Sequence, residues 1–263
     1  MAEDERGGGK RFEGSMSEDY EFVPRALPYY FELQEALGAA IAARYEHPEI
    51  LEIGVGTGNT TRAILSRNPG CRVVGIDNEQ RMIDQARDNL KPEIARGVVA
   101  LHHGDASDYL RSLPHSSADV VASSMTIHNF PGEQRRNLLM EILRVLRPGG
   151  MFINNDRYAA DDREEYVREL TAQIIRYDAL EKAGRGDLRR IWIQHELEDE
   201  LPERIMRTGE SLEQLTDIGF VDVRLARRAG QYAIITALKP KESLSEKPHD
   251  DPDFVLTTLS PFR

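Results

Sequence analysis

Ile50-Leu51-Glu52-Ile53-Gly54-Val55-Gly56-Thr57-Gly58-Asn59 runs an apolar stretch of strand length straight into three glycines. Glycine is needed where backbone must approach a ligand without a Cβ in the way, or take a positive φ. The segment therefore reads as a strand, a ligand-facing turn and a helix over 60–66, stopped by Pro69-Gly70. The alternation repeats downstream, with strands over 71–77, 98–102 and 119–123 and a helix over 80–90. Residues 133–146 put Leu138, Leu139, Ile142, Leu143 and Leu146 on one helical stripe. Arg147-Pro148-Gly149-Gly150 ends that helix, and 151–155 follow as a fifth strand. Strands separated by helical patterns predict βαβ units and a mostly parallel sheet.

Upstream, Tyr30, Leu33, Leu37, Ile41 and Ala42 recur at helical spacing, which predicts a helix running to about Tyr45. Near the C-terminus, strands over 220–226 and 232–238 are separated only by Arg227-Arg228-Ala229-Gly230-Gln231, too short for a parallel crossover. The sheet should therefore have seven strands, the last antiparallel. Between the fifth strand and the hairpin, residues 158–219 exceed what one connection needs. Val167, Leu170, Ile174 and Tyr177 mark one helix there, 191–193 lie in another and 210–218 form a third. The surplus predicts a helical cap over the strand ends. The expected organisation is a disordered tail over 1–18, one domain over 19–240 carrying the cap over 158–208, and a loose tail over 241–263.

Composition narrows the function. Of 263 residues, 40% are hydrophobic and 30% charged, as in an ordinary globular protein. A single cysteine, Cys71, excludes an intrachain disulfide framework and zinc sites built on paired cysteines, and suits a reducing cytoplasm. No apolar run approaches the ~20 residues that span a bilayer, and no signal peptide is evident. A net charge of −11 disfavours nucleic acid as a partner. The Arg185–Arg190 and Arg224–Arg228 clusters are offset by acids such as Glu196, Glu198, Asp199 and Glu200.

Asp77 ends the second strand roughly twenty residues beyond the glycines, where a carboxylate can accept both hydroxyls of a ribose. Two details separate the nucleotide cofactors. The loop is Gly-x-Gly-x-Gly rather than Gly-x-Gly-x-x-Gly, and Glu52 stands just before it. A pyrophosphate is repelled by that carboxylate, whereas a ligand with an ammonium and a sulfonium is not. Both details disfavour an NAD-dependent dehydrogenase.

Residues 52–58 resemble the first motif of the class I S-adenosylmethionine-dependent methyltransferases. Val74-Gly75-Ile76-Asp77-Asn78, His103-Gly104-Asp105-Ala106, Ala118-Asp119-Val120-Val121 and Val145-Leu146-Arg147-Pro148-Gly149-Gly150 are similar to that family's later motifs, in order. The likeness covers about residues 29–238. It implies a Rossmann-like α/β fold, S-adenosylmethionine as cofactor and S-adenosylhomocysteine as product. Carried over by position, Gly54 and Gly56 would approach the methionine part and Glu52 its amino group. Asp77 would bind the ribose, with Asn78 and Met82 beside the adenine. Asp105 and the Ala106 N–H would bond the base. Ser123 or Ser124 would face the methionine side, and Tyr30 (or its neighbour Tyr29) would lie over the cofactor.

The reaction implied is in-line methyl transfer to a small-molecule acceptor beneath the cap. His128, just beyond the fourth strand, has the chemistry of a general base near neutral pH. Asp156 and Arg157 at the end of the fifth strand could contact substrate or tie the cap down, and His195 on the cap is a further substrate-side candidate. His102 and His103 belong to the end of the third strand. No metal is expected. Relatives that bind Mg²⁺ carry an aspartate after the fourth strand, where this chain has serines, and an Asp-Asn pair where it has Asn154-Asn155-Asp156 in the wrong order. A homodimer is allowed, and no membrane partner is expected. Two alternatives stay open. One is a synthase of carboxy-S-adenosylmethionine, disfavoured because Gln194-His195-Glu196-Leu197 lacks that branch's arginine. The other is a non-catalytic cofactor-binding subunit.

Overall fold

A computed structural model describes residues 22–241. The expected N-terminal tail, and all but the first residue of the expected C-terminal one, lie outside that range. In chain order the elements are α1 (Val23–Ala26), α2 (Tyr30–Ala42), β1 (Glu49–Ile53), α3 (Asn59–Arg67), β2 (Arg72–Asp77), α4 (Gln80–Asn89), α5 (Lys91–Ala95) and β3 (Val99–His103). They continue as α6 (Ala106–Ser112), β4 (Ala118–Ser124), a 3₁₀ turn (Ile127–Asn129), α7 (Gly132–Val145) and β5 (Leu146–Arg157). The remainder is α8 (Arg163–Arg176), α9 (Asp178–Lys182), α10 (Gly186–Asp199), α11 (Thr208–Ile218), β6 (Val221–Ala229) and β7 (Tyr232–Leu238).

The seven strands form one sheet in the order β3-β2-β1-β4-β5-β7-β6. Pairings from β3 through β5 are parallel, and β7 runs antiparallel to both β5 and β6. This is the Rossmann-like arrangement expected. Central strands buried on both faces need apolar residues at successive positions, and Ile50, Leu51 and Ile53 of β1 are fully buried. They alternate between two cores. Ile50 packs with Leu37, Ile41 and Ile64 on one face of the sheet, while Leu51 and Ile53 pack with Leu138, Ile142 and Phe152 on the other. Each fully buried aliphatic side chain contributes about 1.5–3 kcal/mol.

β1 lies between β2 and β4, so the chain reverses its direction of winding there. The carboxyl ends of β1 and β4 flank the resulting crevice, the place where ligands bind in open α/β sheets. Beyond β5 the chain rises into α8, α9 and α10, and returns at Met206. The Ala159 N–H donates to the Met206 carbonyl (2.7 Å) and the Thr208 N–H to the Ala159 carbonyl (3.1 Å), which pinches the base of this excursion. The Asp162 side chain caps α8 by accepting from the Glu165 N–H at 2.8 Å. Gln173 of α8 donates to the Ala26 carbonyl at 3.1 Å, so the N-terminal segment joins the cap.

Two differences from the sequence reading have physical causes. β5 begins at Leu146 rather than Met151, because the Arg147-Pro148-Gly149-Gly150 run stays in the sheet. The Gly149 N–H donates to the Lys239 carbonyl at 3.0 Å, and Arg147 pairs with Glu49 (2.6 Å) and Asp119 (2.8 Å). The hairpin loop shortens to Gly230-Gln231, with Gly230 at φ 62°, because Arg227, Arg228 and Ala229 pair with β7.

Candidate active site

The turn after β1 is shaped by its glycines. Gly54 sits at φ +73°, and a Cβ added there would lie 1.9 Å from Thr126 Oγ1. Gly56 is at φ +53°, and the space its Cβ would enter is empty. The result is a concave stretch of bare backbone facing a chamber lined by Tyr30, Gln34, Thr57, Asn59, Ser124 and Met125. From β2, Asp77 closes this loop. Its Oδ2 accepts the Gly56 N–H at 2.8 Å and its Oδ1 the Glu79 N–H at 3.0 Å. Burial raises the Asp77 pKa, against the lowering effect of those two N–H groups.

Glu52, on β1, is fully buried. Its Oε2 accepts the Thr61 hydroxyl at 2.5 Å, and its Oε1 has no hydrogen-bond partner. Burial pushes this carboxyl up to about 8, the Thr61 bond opposes the rise, and the Asp77 charge adds to it. Glu52 is not among the residues lining the chamber; its buried, unpartnered Oε1 is an acceptor that suits an ammonium group.

The other expected cofactor-side residues divide. Tyr30 lines the chamber and its hydroxyl takes a hydrogen bond from Asn59 Nδ2 at 3.3 Å, while Tyr29 is 49% exposed. Ser124 also lines it, with its Oγ held by Asn155 Nδ2 at 2.9 Å. Ser123 is turned away, fully buried, its hydroxyl donating to the Ile53 carbonyl at 3.1 Å. Successive strand residues point to opposite faces, so only one serine can reach the chamber. Met82 is buried and Asn78 exposed, with His103 Nε2 3.1 Å from the Asn78 carbonyl. Asp105 caps α6, its Oδ1 accepting the Asp108 N–H at 2.9 Å, and Ala106 opens that helix.

Met125, in left-handed backbone at φ +54°, separates this chamber from a second one under the cap. Strain of that kind in a residue without glycine's freedom collects at functional sites. The second cavity, of about 20 Å³, is lined by His128, Arg157, Trp192, His195, Asp199 and Tyr232 among others. His128 and Asp156 meet here. The His128 ring places Nδ1 2.6 Å from Asp156 Oδ1, and the His128 backbone N–H donates to Asp156 Oδ2 at 3.2 Å. Asn154 Nδ2 (3.3 Å) and the Arg157 N–H (2.9 Å) donate to the same carboxylate. Four donors fix its position, and it in turn fixes the imidazole. A carboxylate on Nδ1–H leaves the Nε2 lone pair of a neutral ring directed elsewhere. That Nε2 lies 3.7 Å from Asp199 Oδ2, as does the Nε2 of His195.

Arg157 ties the cap to the sheet. It bonds Asp199 at 2.6 Å, Glu196 at 2.7 Å and Glu200, all three from α10 and the residue after it. Burial alone would lower the arginine's pKa, but the three carboxylates outweigh it and hold the group further into its charged range. Glu196 also accepts from Tyr177 (2.7 Å) and Gln231 (2.9 Å).

Asp199, Glu196 and Met125 do not stand out as site residues in the sequence, where Glu196 and Asp199 figure only as a counterweight to nearby arginines. A signal for Asp199 does exist: it stands four residues after His195 on one helix, so both project from the same face.

Comparison with known proteins identifies the family and fold. A family model described as "Methyltransferase domain" matches residues 50–150. The carboxy-S-adenosyl-L-methionine synthase of Aeromonas salmonicida (strain A449) is 28% identical over 227 residues, covering 85% of this chain and 88% of that protein. Its counterpart in Pseudomonas entomophila (strain L48) is 30% identical over 172 residues, 62% of this chain and 69% of that one. Among solved structures, an O-methyltransferase family protein from Burkholderia thailandensis superposes with a TM-score of 0.65 at 15% identity, over 89% of this chain and 62% of that chain.

Proposed function

Because the chain belongs to the class I S-adenosylmethionine-dependent methyltransferase family, we propose that it transfers a methyl group to a small-molecule acceptor seated under the cap. S-adenosylmethionine is the cofactor, and when bound it supplies a sulfonium methyl group open to in-line attack. The chain's own task is then to orient two reactants and keep water away.

In this reading Gly54 and Gly56 let backbone approach the methionine part of the cofactor, and Glu52 Oε1 takes its ammonium. Asp77 receives the ribose hydroxyls, exchanging the Gly56 N–H for them. Asn78 and Met82 flank the adenine, which Asp105 and the Ala106 N–H bond at its edge. Tyr30 and Ser124 close the methionine side, and Ser123 supports them by holding β4 to β1. His128, oriented by Asp156, acts on the acceptor through Nε2, and His195 faces it from the cap. Arg157 keeps the cap docked. We take the enzyme to act in the cytoplasm, which the single buried Cys71 suits. No helix of the described residues is long and apolar enough to cross a membrane.

The observation that carries the reading is the pair of adjoining chambers, one facing the glycine turn and one enclosed by the cap, with Met125 between them. A second reading, synthesis of carboxy-S-adenosylmethionine, is favoured by the names of the relatives. The expectation against it rests on a missing cap arginine; in the fold Arg157 of β5 reaches the same chamber but is engaged by three carboxylates. Calorimetry with S-adenosylhomocysteine tests the cofactor site, and absence of binding overturns both readings. Mass spectrometry of the nucleotide that copurifies separates them, since the carboxylated cofactor is heavier.

A further inference from the structure

We propose that His128, His195 and Asp199 form a binding site for one divalent transition-metal cation in the chamber under the cap. The three come from different places in the chain, the 3₁₀ turn after β4 and two positions of α10, yet their ligand atoms lie within 4.8 Å of one another. All three side chains are more than nine-tenths buried. Tetrahedral ligands about 2.1 Å from a metal stand about 3.4 Å apart. The two spans to Asp199 Oδ2, each 3.7 Å, need to close by a few tenths of an ångström, and the third, between the two imidazoles and no longer than 4.8 Å, needs a larger rotation of the rings.

Two further features point to a cation. Asp156 binds Nδ1 of His128 at 2.6 Å and is itself held by Asn154 and the Arg157 N–H, the carboxylate–histidine support that orients metal-ligating imidazoles. Asp156, Glu196, Asp199 and Glu200 outnumber Arg157 and the buried Arg135 beside them, so the site carries excess formal negative charge. Arg157 bonds the same Asp199 Oδ2, and a carboxylate oxygen has a second lone pair for a metal.

Two imidazoles and one carboxylate favour Zn²⁺ or its transition-metal neighbours over Mg²⁺, which prefers an all-oxygen octahedral shell. The expectation of no metal compares the chain with one Mg²⁺-binding pattern, and this set lies outside that pattern. The site commits the His128 Nε2 lone pair to the cation, in place of the general-base role. It also specifies an acceptor with an oxygen or nitrogen donor able to reach the metal's open position. That last point rests on the transfer reading above; the cation site does not.

The test uses the full chain, stripped with a chelator and titrated calorimetrically with Zn²⁺ and with Mg²⁺, with S-adenosylhomocysteine titrated into the same preparations. Expected are one Zn²⁺ per chain and Mg²⁺ at least tenfold weaker. His195→Ala and, separately, Asp156→Asn should each weaken Zn²⁺ at least tenfold, with S-adenosylhomocysteine affinity within twofold of the parent and unchanged circular dichroism. A parent protein that binds S-adenosylhomocysteine but takes up no stoichiometric Zn²⁺ overturns the site, as does Zn²⁺ binding unaffected by His195→Ala. Zn²⁺ binding lost with His195→Ala, in a chain that never binds S-adenosylhomocysteine, supports the site and sinks the functional reading instead.

Discussion

Replacing Glu52 by glutamine should remove a large pH dependence from the stability of this fold. The carboxyl is fully buried on β1, and burial moves its pKa from the ordinary 4.5 to about 8. A carboxyl that holds its proton more tightly when folded stabilises the folded state fully below the unfolded value. That contribution drains away as pH rises from about 4.5 to about 8, and above this the native state carries the whole cost of a buried charge. At 1.36 kcal/mol per pH unit the full effect is about 4–5 kcal/mol, of which about 3 falls between pH 5.5 and 8. Glutamine carries no proton equilibrium. Any cost of burying its amide, where Oε1 has no partner to offer, is the same at every pH. Urea unfolding of both proteins from pH 5.5 to 8.5, followed by far-ultraviolet circular dichroism, yields a difference curve in which titrating groups not coupled to Glu52 cancel. Stability of Glu52→Gln relative to the parent should climb by about 3 kcal/mol across that range. A flat curve, or one that falls, would show that the carboxylate is solvated or paired in the native protein and that the reasoning about its burial is mistaken.

Other perturbations test separate parts of the site. Asp77→Ala should weaken S-adenosylhomocysteine at least tenfold by calorimetry, because each charge-assisted hydrogen bond to a ribose hydroxyl is worth about 1.5–3 kcal/mol; unchanged affinity would remove Asp77 from the cofactor site. Arg157→Ala should cost about 3–5 kcal/mol in urea unfolding, since Glu196, Asp199 and Glu200 would be left buried without their shared counter-charge. A loss below about 1 kcal/mol would mean the cap is not held by this cluster. Gly54→Ala and Gly56→Ala should part company. Both strain a positive φ, but only at Gly54 does the new Cβ strike Thr126, so Gly54→Ala should unfold at lower urea, while Gly56→Ala keeps more stability and loses cofactor affinity.

The sheet could be read from the chain because its central strands are buried on both faces. Apolar runs as short as 50–53 and 119–123, each closed by turn residues, are too brief for a helix and fit a buried strand. The short α6 could not be read. Its buried residues are only Ala106 and Leu110, too few for a stripe, and its one start signal, Asp105 three residues before Asp108, fits a bond to adenine equally well. The inward polar face of the cap escaped for a different reason. α10 turns His195, Glu196 and Asp199 inward along with Leu188 and Trp192, so a search for apolar periodicity looks past the face that matters. The Arg157 cluster joins residues about forty positions apart, and nothing local announces it. Of the two serines ending β4, alternation alone says that one faces the crevice; only the register with Ile53 and Asn154 says which.

The charge balance beneath the cap bears on the substrate under either functional reading. Arg157 faces three carboxylates there, Asp156 stands behind His128 as a fourth acid, and the buried Arg135 beside Asp156 and Asp199 is the second cation, so the acids outnumber the arginines by two. A chamber with that surplus attracts positive charge, which a sulfonium donor brings from the far side of Met125 and a metal at His128, His195 and Asp199 would bring from the near side. An acceptor bearing a carboxylate is repelled unless something inside compensates it, and Arg157 can do so only by releasing an acid that burial then makes costly to leave alone. If the product is the carboxylated sulfonium, its new carboxylate therefore needs a cation other than Arg157, and the metal site is the group placed to provide one. If the product is a methylated neutral or basic molecule, the same surplus selects for it. Supplementing the stripped enzyme with Zn²⁺ should thus matter most for anionic acceptors, and equal turnover of anionic and neutral acceptors without metal would show that the chamber's formal charges are already neutralised within the fold.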